Sequence, residues 1–445
     1  MLQLYRERLT LLLIALLPFH ALFVTLVTKL VAGPGHAPLT AIVLWKEVML
    51  AVILILAFLE LIAHSPKLIA RIDFIDSLIL GLLIIAVGLF LGGKPASPGA
   101  FLIGLKYDFT ALIAFMVLRR VTWSAGFLGS AYKILLIIGV IVSAYGLLAV
   151  TVPATFFTAL GYSDLHSLYV PGGPLAAFQQ IGGTAIRRLQ STMSGPNQLG
   201  LWLLLPLSIA LLRRRPAEGL IILVALFATL SRSAVLATFV IITPILWKTV
   251  SRKNFVRLTC GVAVLAVLFA VVGGPAVPTL ITRSASTRDH IARPFMALKV
   301  ILAHPLGAGL SAAGPASNRV SDACVFLEEG SDPSWAADRP ELCVFVGGVQ
   351  KQPTERMCSC PFLPENWYLQ MGVEMGVLGF LLFVTLMIVV LKRLAISDQR
   401  SAISGVFLAF LGVSIAAFFL HAWEDSAVAY TLWVLAAAQI PIKRS

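Results

Sequence analysis

Charged side chains are scarce in this chain. Asp, Glu, Lys and Arg make up 12% of the 445 residues, whereas 59% are hydrophobic and the mean hydropathy is +0.93. Because soluble domains are about one quarter charged, this composition excludes a soluble globular protein. It predicts an integral membrane protein that crosses the bilayer many times.

Acidic residues are scarcer than basic ones, with 21 Asp and Glu against 34 Lys and Arg, so the net charge is +13. A positive charge can indicate a nucleic-acid partner, but membrane proteins also collect basic residues as topology determinants. Here the basic residues concentrate in alternate connections between apolar segments of roughly 20 residues or fewer. The segments are 9–31, 40–62, 74–92, 100–118, 131–152, 197–212, 219–230, 234–247, 257–273, 367–391, 403–420 and 426–441.

This pattern predicts an all-α polytopic membrane protein, with about twelve transmembrane helices in a single integral membrane domain, residues 1–445. The positive-inside rule places both termini in the cytoplasm and leaves no reason to expect a nucleic-acid partner. The first apolar segment is too long for a signal-peptide core, and no small-residue cleavage pattern follows it, so we expect it to remain as a helix. No internal repeat is apparent.

Two predicted extracytoplasmic connections carry arginines against this trend, which an anionic ligand would explain most simply. The first is 153–196, with Arg187 and Arg188. The second is the large loop 274–366 before the tenth helix, with Arg283, Arg288 and Arg293. Helical spacing of apolar residues predicts an interfacial amphipathic helix near 287–303. Residues 311–363 are rich in Gly, Pro, Ser and Asp and are expected to be loop-like.

Cysteine is also sparse, with five in the chain. Cys260 falls in a predicted span and is expected to be a buried packing residue. The other four lie in the large loop, where an even number in an oxidising compartment predicts two disulfides with three possible pairings. A zinc site is the alternative, but the loop has no CxxC pair and no nearby histidine cluster, so we expect no metal. The four are Cys324, Cys343, Cys358 and Cys360.

Two arginines stand out as candidate anion ligands. Arg232 lies between two short apolar runs, where a charge is costly and indicates function, and Ser231 beside it adds a donor for phosphate oxygens. Arg188 precedes a helix start at Gly-Pro-Asn, whose free N–H groups and positive dipole end suit an anion, with Asn197 at that start. The structural alternatives are a snorkelling arginine and an ordinary helix cap.

Titratable groups near the last large span are the candidates for proton transfer. Glu365 precedes that span and is either a carboxylate base or a helix-capping acid. His290, two residues after the candidate phosphate ligand Arg288, is either a base or a surface residue. Glu374 falls inside the span, where we expect it to be buried and hydrogen-bonded. For Lys46-Glu47 and Lys106-Tyr107-Asp108 we favour structural ion pairs, and residues 421–425 could line the same outer face.

Together these residues resemble the O-antigen ligase and polymerase family of bacterial envelope glycosyltransferases. The resemblance rests on the order and spacing of four elements, each of them weak alone. They are Arg188 through Asn197, Leu230-Ser231-Arg232, Arg288 with His304-Pro305-Leu306-Gly307-Ala308-Gly309, and Asn366 through Gly379.

The resemblance implies a cofactor-free, metal-independent, inverting enzyme of the GT-C type in the bacterial inner membrane. Its donor would be an undecaprenyl-pyrophosphate-linked glycan and its acceptor a hydroxyl of a lipid, glycan or protein, amid membrane lipids. Arg232 and Arg288 would hold the pyrophosphate, with Arg188, Ser231 and Asn197 near them, because the arginine fork binds phosphate oxygens bidentately.

Many ligases of this family have a histidine, their proposed base, where this chain has Glu365. Glu365 and His290 are therefore the two candidate bases, and Asn366, Tyr368 and Glu374 would support the site. Ligase is favoured over polymerase, which shares the motifs. Outside the family, the alternatives are a polysaccharide or lipid transporter and a catalytically inactive scaffold. A transporter commonly has two repeated halves with sites at mid-bilayer, whereas here the polar residues gather at one face.

Overall fold

The computed structural model is mostly helical, as predicted, and it describes most of the chain. The described residues are 1–33, 36–64, 67, 71–95, 97–162, 187–249, 251, 253, 284–327, 329–337, 339–397 and 404–442. The helices are α1 Leu2–Leu16, α2 His20–Ala32, α3 Thr40–Val43, α4 Trp45–His64, α5 Phe74–Leu91, α6 Pro98–Leu118, α7 Phe127–Thr151, α8 Ala154–Ala159, α9 Pro196–Leu212, α10 Pro216–Ala228, α11 Arg232–Thr249, α12 Ser284–Ala303, α13 Gly314–Val320, α14 Trp367–Ile396, α15 Gly405–Ala416 and α16 Ser426–Gln439.

Six helical segments among the described residues are long and apolar enough to cross a membrane, so a membrane protein is confirmed. They are Leu2–Ala32, which joins α1 and α2 through a short 3₁₀ turn, and helices α4, α5, α6, α7 and α14. Five shorter apolar helices, α9, α10, α11, α15 and α16, coincide with further predicted spans. The segment 257–273 lies outside the described residues, and the count of about twelve stays a prediction.

The bundle has two ends, which we call the Arg6 face and the Glu365 face. At the Arg6 face, Arg6 of α1 bonds to the backbone after α6, and Ile442 N–H donates to the Arg119 carbonyl, so both ends of the chain meet there. The Glu365 face is the opposite end, where α6 and α14 begin and α15 ends. Which side of a membrane each face occupies stays a prediction.

Helices α9 and α16 form the centre of the bundle, since nearly every residue of each is buried. Small residues allow close helix approach there: a Cβ on Gly200 would lie 2.6 Å from the Ala234 Cβ, and one on Gly412 would lie 2.8 Å from Ile241 Cδ1. In contrast, helices α4, α5 and α7 each bury only about a third of their most apolar stretch. Their exposed large apolar side chains suit contact with lipid.

Residues 311–363 are not loop-like as expected, because they hold helix α13 and a small three-stranded sheet. Strand β1 (Ala323–Leu327) pairs in parallel with β2 (Leu342–Val346), which pairs antiparallel with β3 (Val349–Gln352). The predicted disulfide-containing loop is confirmed, with bonds Cys324–Cys360 and Cys343–Cys358. Two crosslinks stabilise a sheet that is too small to have much of a core. The sequence missed the sheet because its strands have only four or five residues.

Helix α12 covers the segment 287–303 that the sequence predicts as helical. After it, residues 304–309 pack against a break in α14, where Gly376 has φ 71° and ψ −171°. Ala308 and Gly309 N–H groups donate to the carbonyls of Val373 and Glu374, and Val377 N–H donates to the Pro305 carbonyl. A Cβ on Gly376 would lie 2.2 Å from that carbonyl oxygen, so only glycine fits. These bonds fix the first turns of α14 to the loop above them.

Candidate functional site

Glu365 lies just before the first turn of α14 in a left-handed conformation, with φ 54°. The next residue, Asn366, is the N-cap: its side chain accepts from Leu369 N–H at 3.0 Å and donates to the Phe418 carbonyl at 3.0 Å. A left-handed conformation is costly for a residue with a side chain and often occurs at functional sites. From the sequence, Glu365 was a candidate helix-capping acid. In the structure Asn366 is the N-cap, so the Glu365 carboxylate is available for other contacts.

The Glu365 carboxylate contacts helix α12. Its Oε1 accepts from Arg293 Nη1 at 3.0 Å, and its Oε2 lies 3.8 Å from His290 Nδ1. His290 and Arg293 are three residues apart on one helix and so present their side chains on one face. All three side chains are partly exposed, at 34% for His290, 35% for Arg293 and 18% for Glu365. The two candidate bases are therefore neighbours, accessible from outside the bundle.

The backbone of Glu365 connects to a buried polar network. Its N–H donates to His421 Nε2 at 3.3 Å, and His421 Nδ1 lies 2.7 Å from Gln370 Oε1. Gln370 Nε2 in turn donates to Glu424 Oε1 at 2.6 Å and to Asp108 Oδ1 at 3.4 Å. Burial, together with the charges of Arg293 and His290, lowers the pKa of His421 to about 3. The imidazole is therefore neutral at physiological pH.

Three buried carboxyl groups, on Asp108, Glu374 and Glu424, form the acidic trio at the inner end of this network. Asp108 of α6 and Glu374 of α14 lie near each other in the interior of the bundle, and both side chains are buried. Burial and the nearby Asp108 raise the pKa of Glu424 well above its usual value. Among the described ion pairs, none gives the trio a Lys or Arg partner. Glu374 is buried, as the sequence predicts, but neither oxygen of its carboxyl group has a hydrogen-bond partner among the described residues, so the expected hydrogen bonding is wrong.

A second polar group on the Glu365 face joins three predicted anion ligands. Arg188 donates through Nη2 to Asn197 Oδ1 at 2.8 Å and through Nε to the Thr229 carbonyl at 3.1 Å. Ser231, two residues beyond Thr229, lies 3.2 Å from the Ser233 hydroxyl. Arg188 thus ties the start of α9 to the turn between α10 and α11. The expected helix cap is wrong, because the N-cap of α9 is Gly195 and no side chain caps it. The anion role of Arg188 and Asn197 stays a prediction.

Arg232 and Arg288 are the two main predicted pyrophosphate ligands. Arg232 is the first residue of α11 and its side chain is exposed, at a helix start where the dipole adds positive potential. The backbone of Arg288 is part of α12, two residues before His290, and its side chain lies outside the described part of the structure. Tyr368, a predicted supporting residue, donates its hydroxyl to the Ser414 carbonyl at 2.8 Å and so fixes α14 to α15.

The expected ion pair within Lys106-Tyr107-Asp108 is wrong. Lys106 Nζ lies 3.0 Å from Glu47 Oε1, which also pairs with Lys46 at 3.1 Å. Residues two apart on a helix point to different sides, so Asp108 faces inward and meets Gln370 instead. The pairing within Lys46-Glu47 is as expected.

The sequence did not single out Gln370, and it indicated Arg293 only as one of three loop arginines that an anionic ligand would explain. A polar residue in the first turns of an apolar helix, such as Gln370, is a usable signal, but its partners Glu424 and Asp108 are 54 and 262 residues away in sequence. Only the folded chain brings them together. No known family model matches the sequence, and no curated protein matches it.

Proposed function

We propose that this protein is an O-antigen ligase-like glycosyltransferase of the bacterial inner membrane. In this proposal it transfers a saccharide from a polyprenyl-pyrophosphate carrier to an acceptor hydroxyl on the outer face, with inversion and without a metal. The observation that carries the proposal is the Glu365 carboxylate at the start of α14, held 3.0 Å from Arg293 and 3.8 Å from His290. A base beside cationic groups at a bilayer surface suits attack on a lipid-linked glycosyl donor.

Glu365 is assigned as the group that accepts the proton of the acceptor hydroxyl. Arg293 stabilises the ionised carboxylate, which keeps it available as an acceptor but weakens it as a base. The acceptor oxygen then attacks the anomeric carbon from the side opposite the pyrophosphate, the bond to the pyrophosphate oxygen breaks, and the configuration inverts. His290 is close enough to take the proton in its place, with Glu365 orienting the ring.

The leaving pyrophosphate is assigned to arginines on the same face. Arg232 has an exposed side chain at a helix start, and Arg288 lies two residues before His290 on α12. Guanidinium groups remain charged and bind phosphate oxygens bidentately, so they stabilise the negative charge that grows as the bond breaks. No protein group is asked to protonate the pyrophosphate, which is a good leaving group once its charge is neutralised.

The test is glycan transfer by purified protein in detergent and EDTA, from a polyprenyl-pyrophosphate saccharide to lipid, glycan and protein acceptors. We expect Glu365→Gln to lower the rate by about 10²- to 10⁴-fold, the usual contribution of a general base, and Glu365→His to retain transfer. Glu355→Gln is the control, because Glu355 is an exposed glutamate with no assigned role in the site. Wild-type transfer rates in Glu365→Gln would contradict the assignment of the base. The acceptor that is used distinguishes ligase from polymerase.

A transporter is the second candidate, favoured by the break in α14. A helix interrupted at Gly376, with Glu374 and Asp108 buried beside the interruption, resembles the discontinuous helices of ion-coupled transporters. Vesicles containing the purified protein separate the two candidates. Movement of the intact lipid-linked saccharide between leaflets, with no transfer to any acceptor, would favour transport over the enzyme.

A further inference from the structure

We infer that His421 is a positioning residue for Glu365, held as the neutral imidazole with its proton on Nδ1. The inference concerns the same site as the proposed function and depends on it only where activity is measured. His421 lies in the connection between α15 and α16, half-buried, on an element different from those that carry Glu365, His290 and Arg293. It acts through the backbone of Glu365 and contacts no reacting group.

The direction of every hydrogen bond in this network follows from its first member. The Glu365 backbone N–H can only donate, so His421 Nε2, 3.3 Å away, must accept and carries no proton. A neutral imidazole has one N–H, which is then on Nδ1 and donates to Gln370 Oε1 at 2.7 Å. The orientation of the Gln370 amide is thereby fixed, with its oxygen towards His421.

The far end of the network is compatible with this direction. The Gln370 amide nitrogen has two N–H groups, and it faces two carboxyl oxygens, Glu424 Oε1 at 2.6 Å and Asp108 Oδ1 at 3.4 Å. Reversing the amide would place its carbonyl oxygen against those carboxyl groups and its NH₂ against the His421 N–H. Protonating His421 on both nitrogens would set an N–H against the Glu365 N–H. Only the Nδ1–H form therefore satisfies every bond.

The consequence for the site is that His421 supplies a hydrogen-bond acceptor for the Glu365 backbone N–H. Glu365 precedes the N-cap of α14 and has φ 54°, so its N–H belongs to no helical ladder. A buried or half-buried N–H needs a partner. With that N–H bound to His421, the backbone is held in the left-handed conformation and the side chain is directed to Arg293 and His290. Loss of the bond would allow the Glu365 carboxylate to move away from the place where it accepts the proton of the acceptor hydroxyl.

A matched pair of substitutions tests the inference through activity. In His421→Gln the amide oxygen reaches the place of Nε2 and can accept from Glu365 N–H, whereas in His421→Asn the shorter amide reaches only the place of Nδ1. We expect His421→Gln to keep kcat within a few fold of wild type and His421→Asn to lower kcat by about 100-fold, the usual cost of a misplaced catalytic group. The KM for the donor should change little. Equal loss in both variants would overturn a positioning role.

A spectroscopic measurement tests the same inference without activity. Protein labelled with ¹⁵N-histidine contains seven histidines, and the spectrum of His421→Gln identifies the signals of His421 by subtraction. At pH 7 we expect a protonated Nδ1 and an unprotonated Nε2 in the solid-state NMR spectrum. A proton on Nε2, or on both nitrogens, would overturn the inference even if transfer is observed. The expected tautomer in a protein without transferase activity would uphold the inference and remove the proposed function.

Discussion

The two ends of the helix bundle treat buried charge in opposite ways. At the Arg6 face three carboxylates are paired with arginines: Arg6 Nε lies 3.0 Å from Glu60, and Arg119 and Arg120 lie 2.6 Å and 2.8 Å from Asp73 and Asp76. The buried Glu7 there accepts hydrogen bonds from Ser124 and Gln3 instead. Burial raises the pKa of Asp73, but the hydrogen bond and charge of Arg119 outweigh it and hold the pKa at about 2. These are structural ion pairs between helix ends.

At the Glu365 face, by contrast, Asp108 and Glu424 of the acidic trio accept hydrogen bonds from Gln370, and no member of the trio has a described arginine or lysine partner. The arginines on that face instead lie nearer the surface, at Glu365 and at the start of α11. Buried carboxyl groups without a counter-charge contribute little to stability, and sites of this kind are commonly kept for function. The difference teaches that composition alone does not separate structural from functional charge, whereas the partners do.

The largest expected effect comes from breaking the Arg6 face. Asp76→Asn leaves Arg119 and Arg120 buried with half of their negative charge removed, and we expect a loss of about 3–5 kcal/mol in stability. Thermal unfolding in detergent, followed by size-exclusion chromatography, measures it. The control is Glu218→Gln at the exposed pair with Arg215, which should cost less than about 1 kcal/mol. Equal effects of the two would mean that the Arg6 face is not a structural ion network.

The sequence predicted the helices well because a membrane span needs a long apolar run, which composition reveals without any tertiary information. It predicted the disulfides but not their pairing, since the pairing depends on the register of β1 with β2, where Cys324 lies opposite Cys343. The break at Gly376 was missed because the apolar run continues through it. Gly307 and Gly376 each approach the backbone of the other segment, so the need for glycine at these positions is visible only in the folded chain.

The next largest effect is expected from Gly376→Ala, a substitution that disturbs the Glu365 face without changing any charge. Gly376→Ala adds a methyl group 2.2 Å from the Pro305 carbonyl oxygen in a conformation that only glycine adopts readily, so we expect a loss of about 2–3 kcal/mol and a comparable loss of transfer. Gly88→Ala is the matched control, because a Cβ there contacts nothing within 4 Å and alanine favours the helix. Unchanged melting of Gly376→Ala would contradict the break as described.

A smaller effect is expected from pH, again through the Glu365 face. The pKa of His421 is lowered from 6.5 to about 3, so between these values the unfolded chain binds the proton and stability falls as pH falls. Burial and the charges of Arg293 and His290 on α12 lower this pKa, and Gln370 connects His421 to the carboxyl groups of Glu424 and Asp108.

The His421→Gln variant isolates this contribution, because the raised pKa of Glu424 has the opposite sign and is present in both proteins. We expect wild type to lose stability relative to His421→Gln below pH 6.5, by at most about 1.4 kcal/mol per pH unit. Melting temperatures of both proteins between pH 5 and pH 8 measure the difference. Parallel curves over this range would show that His421 is not held neutral.

The smallest change in stability is expected for Glu374→Gln. The same type of substitution at the other face, Glu60→Gln, makes a direct comparison of the two faces possible. Glu374→Gln and Glu60→Gln each replace a buried glutamate, at the Glu365 face and the Arg6 face respectively. Glu60→Gln leaves Arg6 buried without its anion and should cost several kcal/mol, about as much as Asp76→Asn. Glu374→Gln strands no cation, and its amide can donate to Asp108, so we expect a change within about 1 kcal/mol. A large destabilisation by Glu374→Gln would mean that the acidic trio is a structural element, held by a counter-charge on its own face.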